Sequence, residues 1–170
     1  ILDLGCTCGN STLPYAEAWP DAEVHGIDLS APALRYAHAR ARLLGKAVHF
    51  RQASAEDTGY EPASFDLVVS HILLHEVSAA ALQRIFAECH RLLRGSGVML
   101  HMVVPVRNAR LAPLERFLAD WETDNNNEPF WRALHEMDLP AAAAAAGFDP
   151  AQVFDIDYER GARAFINDRP

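Results

Sequence analysis

Apolar positions along this chain follow two alternating periods. Ile1-Leu2-Asp3-Leu4 is a short apolar run with one acid and reads as a strand. Residues 10–19 read as a helix capped at Asn10 or Ser11, with Pro14 in its first turns. Residues 23–28 read as a second strand. Ser30 then caps a helix to about Leu44, with Pro32 near its start, Gly45 just past its end, and a stripe of Leu34, Ala37, Ala41 and Leu44. A short strand at 47–51 and a polar loop at 52–64 follow. The near-continuous apolar run Phe65–Ser70 suits a strand buried on both faces. Leu82, Ile85, Phe86, Cys89, Leu92 and Leu93 make the stripe of a helix over 79–94. Gly95-Ser96-Gly97 turns the chain into a strand at 98–104.

The rhythm breaks over 106–137. Helical pieces at about 110–121 and 129–137 flank Asp124-Asn125-Asn126-Asn127-Glu128. Asp138 then caps a helix through Ala141–Ala146, closed by Gly147. Val153–Tyr158 and Ala162–Ile166 read as two final strands, antiparallel across a break at 159–161. Alternating strands and helices predict an α/β domain, doubly wound about a mostly parallel sheet. Ligands of such sheets bind beyond the carboxyl ends of the strands. The loops after residues 4, 28, 51 and 70 are therefore expected around one site.

The length of 170 residues suits a single domain, 1–170. The net charge of −8, with Lys46 the one lysine among fifteen basic residues, argues against a nucleic-acid partner and for a small molecule. Cys6, Cys8 and Cys89 form no disulfide framework, and a cytoplasmic location is expected; zinc is not expected at Cys6 and Cys8, since no second pair at ligand spacing follows. No apolar run reaches transmembrane length, so no membrane association is expected. The chain starts without Met inside a predicted strand, which predicts a longer polypeptide whose upstream residues are absent. Oligomeric state is not legible.

The first strand, the loop with Gly5 and Gly9, and the following helix N-terminus together make a nucleotide-binding corner. A dinucleotide fingerprint needs G-x-G-x-x-G, but Thr7 stands where its second glycine belongs; no G-K-[ST] occurs either. Five motifs instead resemble the class I S-adenosylmethionine-dependent methyltransferases. These are Asp3-x-Gly5-x-Thr7-x-Gly9, His25–Ser30, Gln52–Glu56, Ser64–Ser70 with Leu74-His75, and Glu88–Gly97, in order over roughly residues 1–104.

The resemblance implies a Rossmann-like, seven-stranded sheet of order 3-2-1-4-5-7-6 with its last-added strand antiparallel. It implies a cofactor-binding core at 1–104, S-adenosylmethionine as cofactor, and in-line transfer of its methyl group to a small-molecule acceptor. The implied cofactor contacts are Asp3, Gly5, Cys6, Thr7 and Gly9 near the methionine part. Asp28 and Leu29 are implied at the ribose, Ser54, Ala55 and Glu56 beside adenine, and Ser70 at the end of the fourth strand. Thr7 departs from the family's usual middle glycine, and Ser54 from its usual acid. Asp28 also reads as a helix N-terminal acid, and Glu56 as a solvated one.

His71 and His75 sit i, i+4 but lack the H-E-x-x-H order, so no metal is expected. Two readings of His75, with His71 beside it, stand: a base at the mouth of the site, or a structural histidine. Residues 106–137, with Trp121, Phe130 and Trp131 among acids, read either as an acceptor-selecting insertion or lid, or as a helix–loop–helix packed inward with Asn127 capping a helix at Pro129. Two other functions share the architecture: a non-catalytic cofactor-binding module of a larger chain, and an NAD-dependent oxidoreductase.

Overall fold

A computed structural model describes residues 1–103, 112–125, 129–157 and 163–168. In chain order it contains β1 (Leu2–Leu4), α1 (Thr12–Ala18), β2 (His25–Asp28), α2 (Ala31–Leu43), β3 (His49–Gln52) and β4 (Phe65–His71). A 3₁₀ turn (Leu74–Glu76), α3 (Ala79–Leu92), β5 (Leu93–Val103), α4 (Pro113–Asn125), α5 (Trp131–Glu136), α6 (Leu139–Ala145), β6 (Val153–Asp157) and β7 (Arg163–Asp168) follow.

The strands β3-β2-β1-β4-β5 lie side by side and run parallel. Beyond β5 the backbone of β7 pairs antiparallel with it, and β6 pairs antiparallel with β7, giving the order β3-β2-β1-β4-β5-β7-β6. Every residue of β1 is buried, because both faces of this central strand are covered. On one face the apolar side of α3 meets Leu4, Val68 and Met99, and α6 closes the layer through Ala142 and Ala143. On the other face Leu34, Ala37 and Ala41 of α2 pack with Cys6, Leu13 and Phe50.

Several boundaries differ from the sequence expectation, each for a local reason. Helix α1 opens at Thr12, and its N-cap Ser11 makes no capping bond. The Ser11 hydroxyl donates instead to Asp3, eight residues back. The Gly95-Ser96-Gly97 segment does not end a helix at 94 and start a strand at 98. Helix α3 ends at Leu92, and β5 takes in the glycines as an irregularity, with its register against β4 shifting between Phe65 and Leu67. Gly97 is required there, since a Cβ would stand 2.8 Å from Leu93 Cδ2 and 3.1 Å from the Arg94 carbonyl. Helix α5 opens at Trp131 behind Phe130, not at Pro129. Asn127, residues 106–111 and the break at 159–161 lie outside the described residues. The caps at Ser30 and Asp138 form as expected, accepting from Ala33 N at 3.3 Å and Ala141 N at 2.9 Å.

Candidate functional site

The carboxyl ends of β1, β2 and β3 and the segment after β4 converge on a cleft of about 140 Å³. Gly5, Asp28, Leu29, Ser54, Ala55 and Glu56 line it, together with Ala53, Leu73, Val77 and Ile85. A larger cavity, about 800 Å³, opens at the opposite edge of the sheet among Ile1, Trp19, Tyr60 and Phe65. None of the site residues expected from sequence lines that cavity. The smaller cleft is therefore the one built by the strand-end loops.

Asp28 is the hub of the cleft. Its Oδ2 accepts from the backbone N–H of Thr7 at 2.9 Å and its Oδ1 from that of Ser30 at 2.7 Å. One carboxylate thus joins the glycine loop to the start of α2, and each oxygen keeps a lone pair for a ligand hydroxyl. Gly5 has φ of 68° and no side chain; a Cβ there would meet Leu73 Cδ1 at 3.0 Å, in the narrow space the ligand backbone approach needs. Thr7 adopts φ of 44° despite its β-branch, with its N–H turned to Asp28 and its side chain exposed. Across the cleft, Ile72 also has positive φ (61°), which lays Leu73 over Gly5.

Asp3 stands behind the loop, fully buried. Its Oδ2 accepts from Ser11 Oγ at 2.7 Å and Thr12 Oγ1 at 2.6 Å, while Oδ1 has no hydrogen-bond partner. Burial pushes its pKa up to about 6, against the two hydroxyls, which pull it down. The 53–58 loop is held differently. Ser54 Oγ accepts from Glu56 N at 3.2 Å, and the Glu56 carboxylate pairs with the Arg84 guanidinium of α3.

Several expected residues face elsewhere. Cys6 is buried with its Sγ 2.9 Å from where a Gly26 Cβ would stand; burial, then Asp3 and Asp28, push its thiol up to about 12, so it is inert. Gly9 packs on Phe50, whose ring a Cβ would meet at 2.9 Å. Ser70 is 4% exposed and bonds His101 Nδ1 at 2.6 Å. His101 stacks on Phe86, and burial pushes its pKa down to about 3. His75 is 3% exposed, its Nε2 3.2 Å from Glu76 Oε1 and its ring edge-on to Trp131. His71 is exposed at the end of β4, and neither histidine lines the cleft. Sequence reasoning missed Ala53, Leu73, Val77 and Ile85, whose apolar side chains read as core.

Residues 1–97 match the family model described as a methyltransferase domain. The chain belongs to this family, the class I S-adenosylmethionine-dependent methyltransferases. It is 32% identical over 150 residues to an uncharacterized methyltransferase of Synechocystis sp. (sll0829), covering 87% of this chain and 66% of the relative. It is 29% identical over 162 residues to the ubiquinone biosynthesis O-methyltransferase of Ralstonia nicotianae, covering 93% of this chain and 66% of the relative. Among solved structures, the S-adenosylmethionine-dependent methyltransferase SibL in its apo form superposes with a TM-score of 0.79 at 21% identity, over 99% of this chain and 50% of that one. Phosphoethanolamine N-methyltransferase 2 of Haemonchus contortus, in complex with S-adenosyl-L-methionine, superposes with a TM-score of 0.73 at 17% identity, over 99% and 48%. At such identities the likeness establishes the fold. The chain spans just under two-thirds of these two curated relatives' length and about half of these two solved chains.

The residues present fit the family's cofactor. Asp28 offers, at the end of β2, a carboxylate able to accept from a ribose diol, and the side-chain-free backbone of Gly5 forms a cradle that a Cβ would fill. The buried Asp3 and the clamped Asp28 put acid beside the loop, which suits a cationic ligand rather than a pyrophosphate. Among the described residues no helix is long and apolar enough to cross a membrane.

Proposed function

We propose that this chain transfers the methyl group of S-adenosylmethionine to a small-molecule acceptor. The observation that carries the reading is Asp28: a carboxylate clamped by the Thr7 and Ser30 N–H groups, in one cleft with Gly5 and the 54–56 loop. The cofactor supplies the electrophilic methyl group when bound. Asp28 holds the ribose hydroxyls through its free lone pairs. Ser54, Ala55 and Glu56 flank adenine, and the backbone of Gly5 to Gly9 faces the methionine part. Protein help in such a displacement is mainly positioning, since effective molarity rather than covalent chemistry lowers the barrier. No side chain of the cleft is assigned as a base, because Asp28 and Glu56 are committed to the Thr7 and Ser30 N–H groups and to Arg84.

Residues 1–104 form the cofactor-binding core in this reading, and 106–137 select the acceptor. The support is placement: α5 packs on the 3₁₀ turn that follows Leu73, with Trp131 against His75. Helix α4 beside it exposes Leu114, Phe117, Leu118 and Trp121 at helical spacing, an apolar face for an acceptor with a sizeable apolar part. The Ralstonia relative's name, an O-methyltransferase of ubiquinone biosynthesis, makes a hydroxylated aromatic ring the first acceptor class to test.

Equilibrium binding of S-adenosylhomocysteine to the wild type and to Asp28→Ala tests the cofactor site. Asp28→Ala removes a charged acceptor and frees the Thr7 N–H, so affinity is expected to fall by roughly 10–100-fold. Equal affinity of the two proteins would remove Asp28 from the site.

A further inference from the structure

Glu88 lies outside the cleft, on α3, and is 7% exposed. Its Oε1 accepts from Thr58 N at 2.9 Å, Thr58 Oγ1 at 2.6 Å and Arg91 Nη2 at 2.8 Å, and its Oε2 accepts from Arg91 Nε at 2.7 Å. A buried carboxylate is costly unless it is paired and hydrogen-bonded, and this one is both. Its partners are the informative part. Thr58, itself buried, ends the loop whose residues 53–56 line the cleft. The loop's other end is fixed where Ala53 N donates to the Asp28 carbonyl at 3.2 Å.

Helix α3 reaches this loop along one face. Arg84 pairs with Glu56, Ile85 forms cleft wall, and Glu88, one turn on, takes both donors of Thr58. Arg91 steadies the carboxylate from behind while donating to the Tyr60 carbonyl at 2.8 Å, and Tyr60 N donates to Thr58 Oγ1 at 3.3 Å. Between the β3 end and Thr58 the loop is also tied by the Glu56–Arg84 pair and a Ser54–Asp57 bridge, and the Arg51 guanidinium donates to the Thr58 carbonyl. Glu88 adds the buried anchor that takes the Thr58 N–H and hydroxyl together, so the position of the cleft-facing backbone depends on how firmly it holds Thr58.

We infer that Glu88 is a positioning residue for the nucleoside end of the cofactor: it fixes Thr58, and through it the 54–56 backbone that discriminates the base. The inference rests on the reading of this cleft as an S-adenosylmethionine site. It also gives a physical role to the Glu88 and Arg91 positions of the fifth motif, which lie outside the cleft. Burial opposes ionisation of Glu88, yet Arg91 and Thr58 outweigh it and hold its pKa below the ordinary glutamate value, so the anchor is charged at neutral pH.

The test compares S-adenosylhomocysteine with S-inosylhomocysteine, which differs only at the base, by calorimetric titration of the wild type, Glu88→Gln and Thr58→Val. Glu88→Gln keeps shape but turns one acceptor oxygen into a donor facing Thr58 or Arg91. Thr58→Val keeps volume and the Glu88–Arg91 pair but deletes one hydroxyl. Glu88→Gln is expected to bind S-adenosylhomocysteine roughly tenfold more weakly and to lose most of the preference for adenine. Thr58→Val is expected to move both quantities the same way by a smaller factor, and it decides alone if Glu88→Gln does not fold. Weaker binding with the base preference intact means a merely structural role and overturns the inference, as do unchanged values in both variants. A wild type that binds neither ligand overturns the cofactor reading and this inference with it.

Discussion

The Asp3 carboxyl sits in the middle of the central strand with two hydroxyls on one oxygen and none on the other. Asp28 on β2 adds repulsion and His71 on β4 adds attraction; the neighbouring Tyr15 and Cys6 are held neutral by burial. The folded pKa of about 6 lies above the ordinary aspartate value of about 3.9. Between these values the folded chain binds the extra proton, so the contribution of Asp3 is fully present below about pH 4 and is lost as pH rises through 6. The loss amounts to about 2–3 kcal/mol. Urea denaturation from pH 4 to 7.5 is expected to show this decline in the wild type relative to Asp3→Asn, which has no proton to release. Parallel curves for the two proteins would mean that Asp3 ionises at its ordinary value. Residue identity alone placed an acid here, but not its isolation. The Ser11 and Thr12 hydroxyls could as well have capped α1, and only the fold turns them to Asp3.

At the scale of elements, β2 reads its glycine in packing rather than in backbone freedom. A Cβ on Gly26 would meet Cys6 Sγ and Phe50 Cδ1, both at 2.9 Å. The absent side chain lets the loop after β1 and the centre of β3 share one space beneath α2. Gly26→Ala is expected to destabilise by about 1–3 kcal/mol through overpacking, read as a lowered urea midpoint with unchanged m-value. Because Cys6 belongs to the loop proposed to hold the cofactor, the same change is expected to weaken S-adenosylhomocysteine binding. Normal stability would show that Phe50 yields without cost. The alternation of strands and helices and the caps at Ser30 and Asp138 were legible, since periodicity and capping chemistry are local, whereas the strand order was implied only by the family resemblance. The α3–β5 boundary was not, because two glycines mark a turn and a strand irregularity equally well. Among the residues that line the cleft, Gly5 carried a glycine signal and Asp28 a strand-end acid, while the 54–56 loop was expected only from the family resemblance. Leu73 and Ile85 carry no signal that separates a cleft wall from a core, and no sequence signal shows that Gly9 packs on Phe50 or that Ser70 bonds His101.

For the whole molecule the discrimination between S-adenosylmethionine and a dinucleotide comes down to charge. An adenosine with a ribose diol would satisfy Asp28 in either a dinucleotide or S-adenosylhomocysteine. The groups beyond the ribose differ: a pyrophosphate carries two negative charges, whereas the amino acid part is zwitterionic, with its ammonium available to acid. Here the net charge is −8, Asp3 and Asp28 flank the loop, and the Thr7 N–H that could meet a phosphate already donates to Asp28. A ligand that binds only the folded chain adds about 2.7 kcal/mol of stability at one hundred times its Kd. For a chain of 170 residues that raises the melting temperature by roughly 5–10 °C. S-adenosylhomocysteine at saturating concentration is expected to give that rise at neutral pH, and NADH at equal concentration to give none. Raising the ionic strength separates charge from shape: if field alone excludes NADH, its binding improves as salt screens the solvent-accessible Asp28 carboxylate, whereas S-adenosylhomocysteine binding weakens. A rise with NADH matching that with S-adenosylhomocysteine would return the cleft to a general nucleotide corner, and with it the choice of reaction.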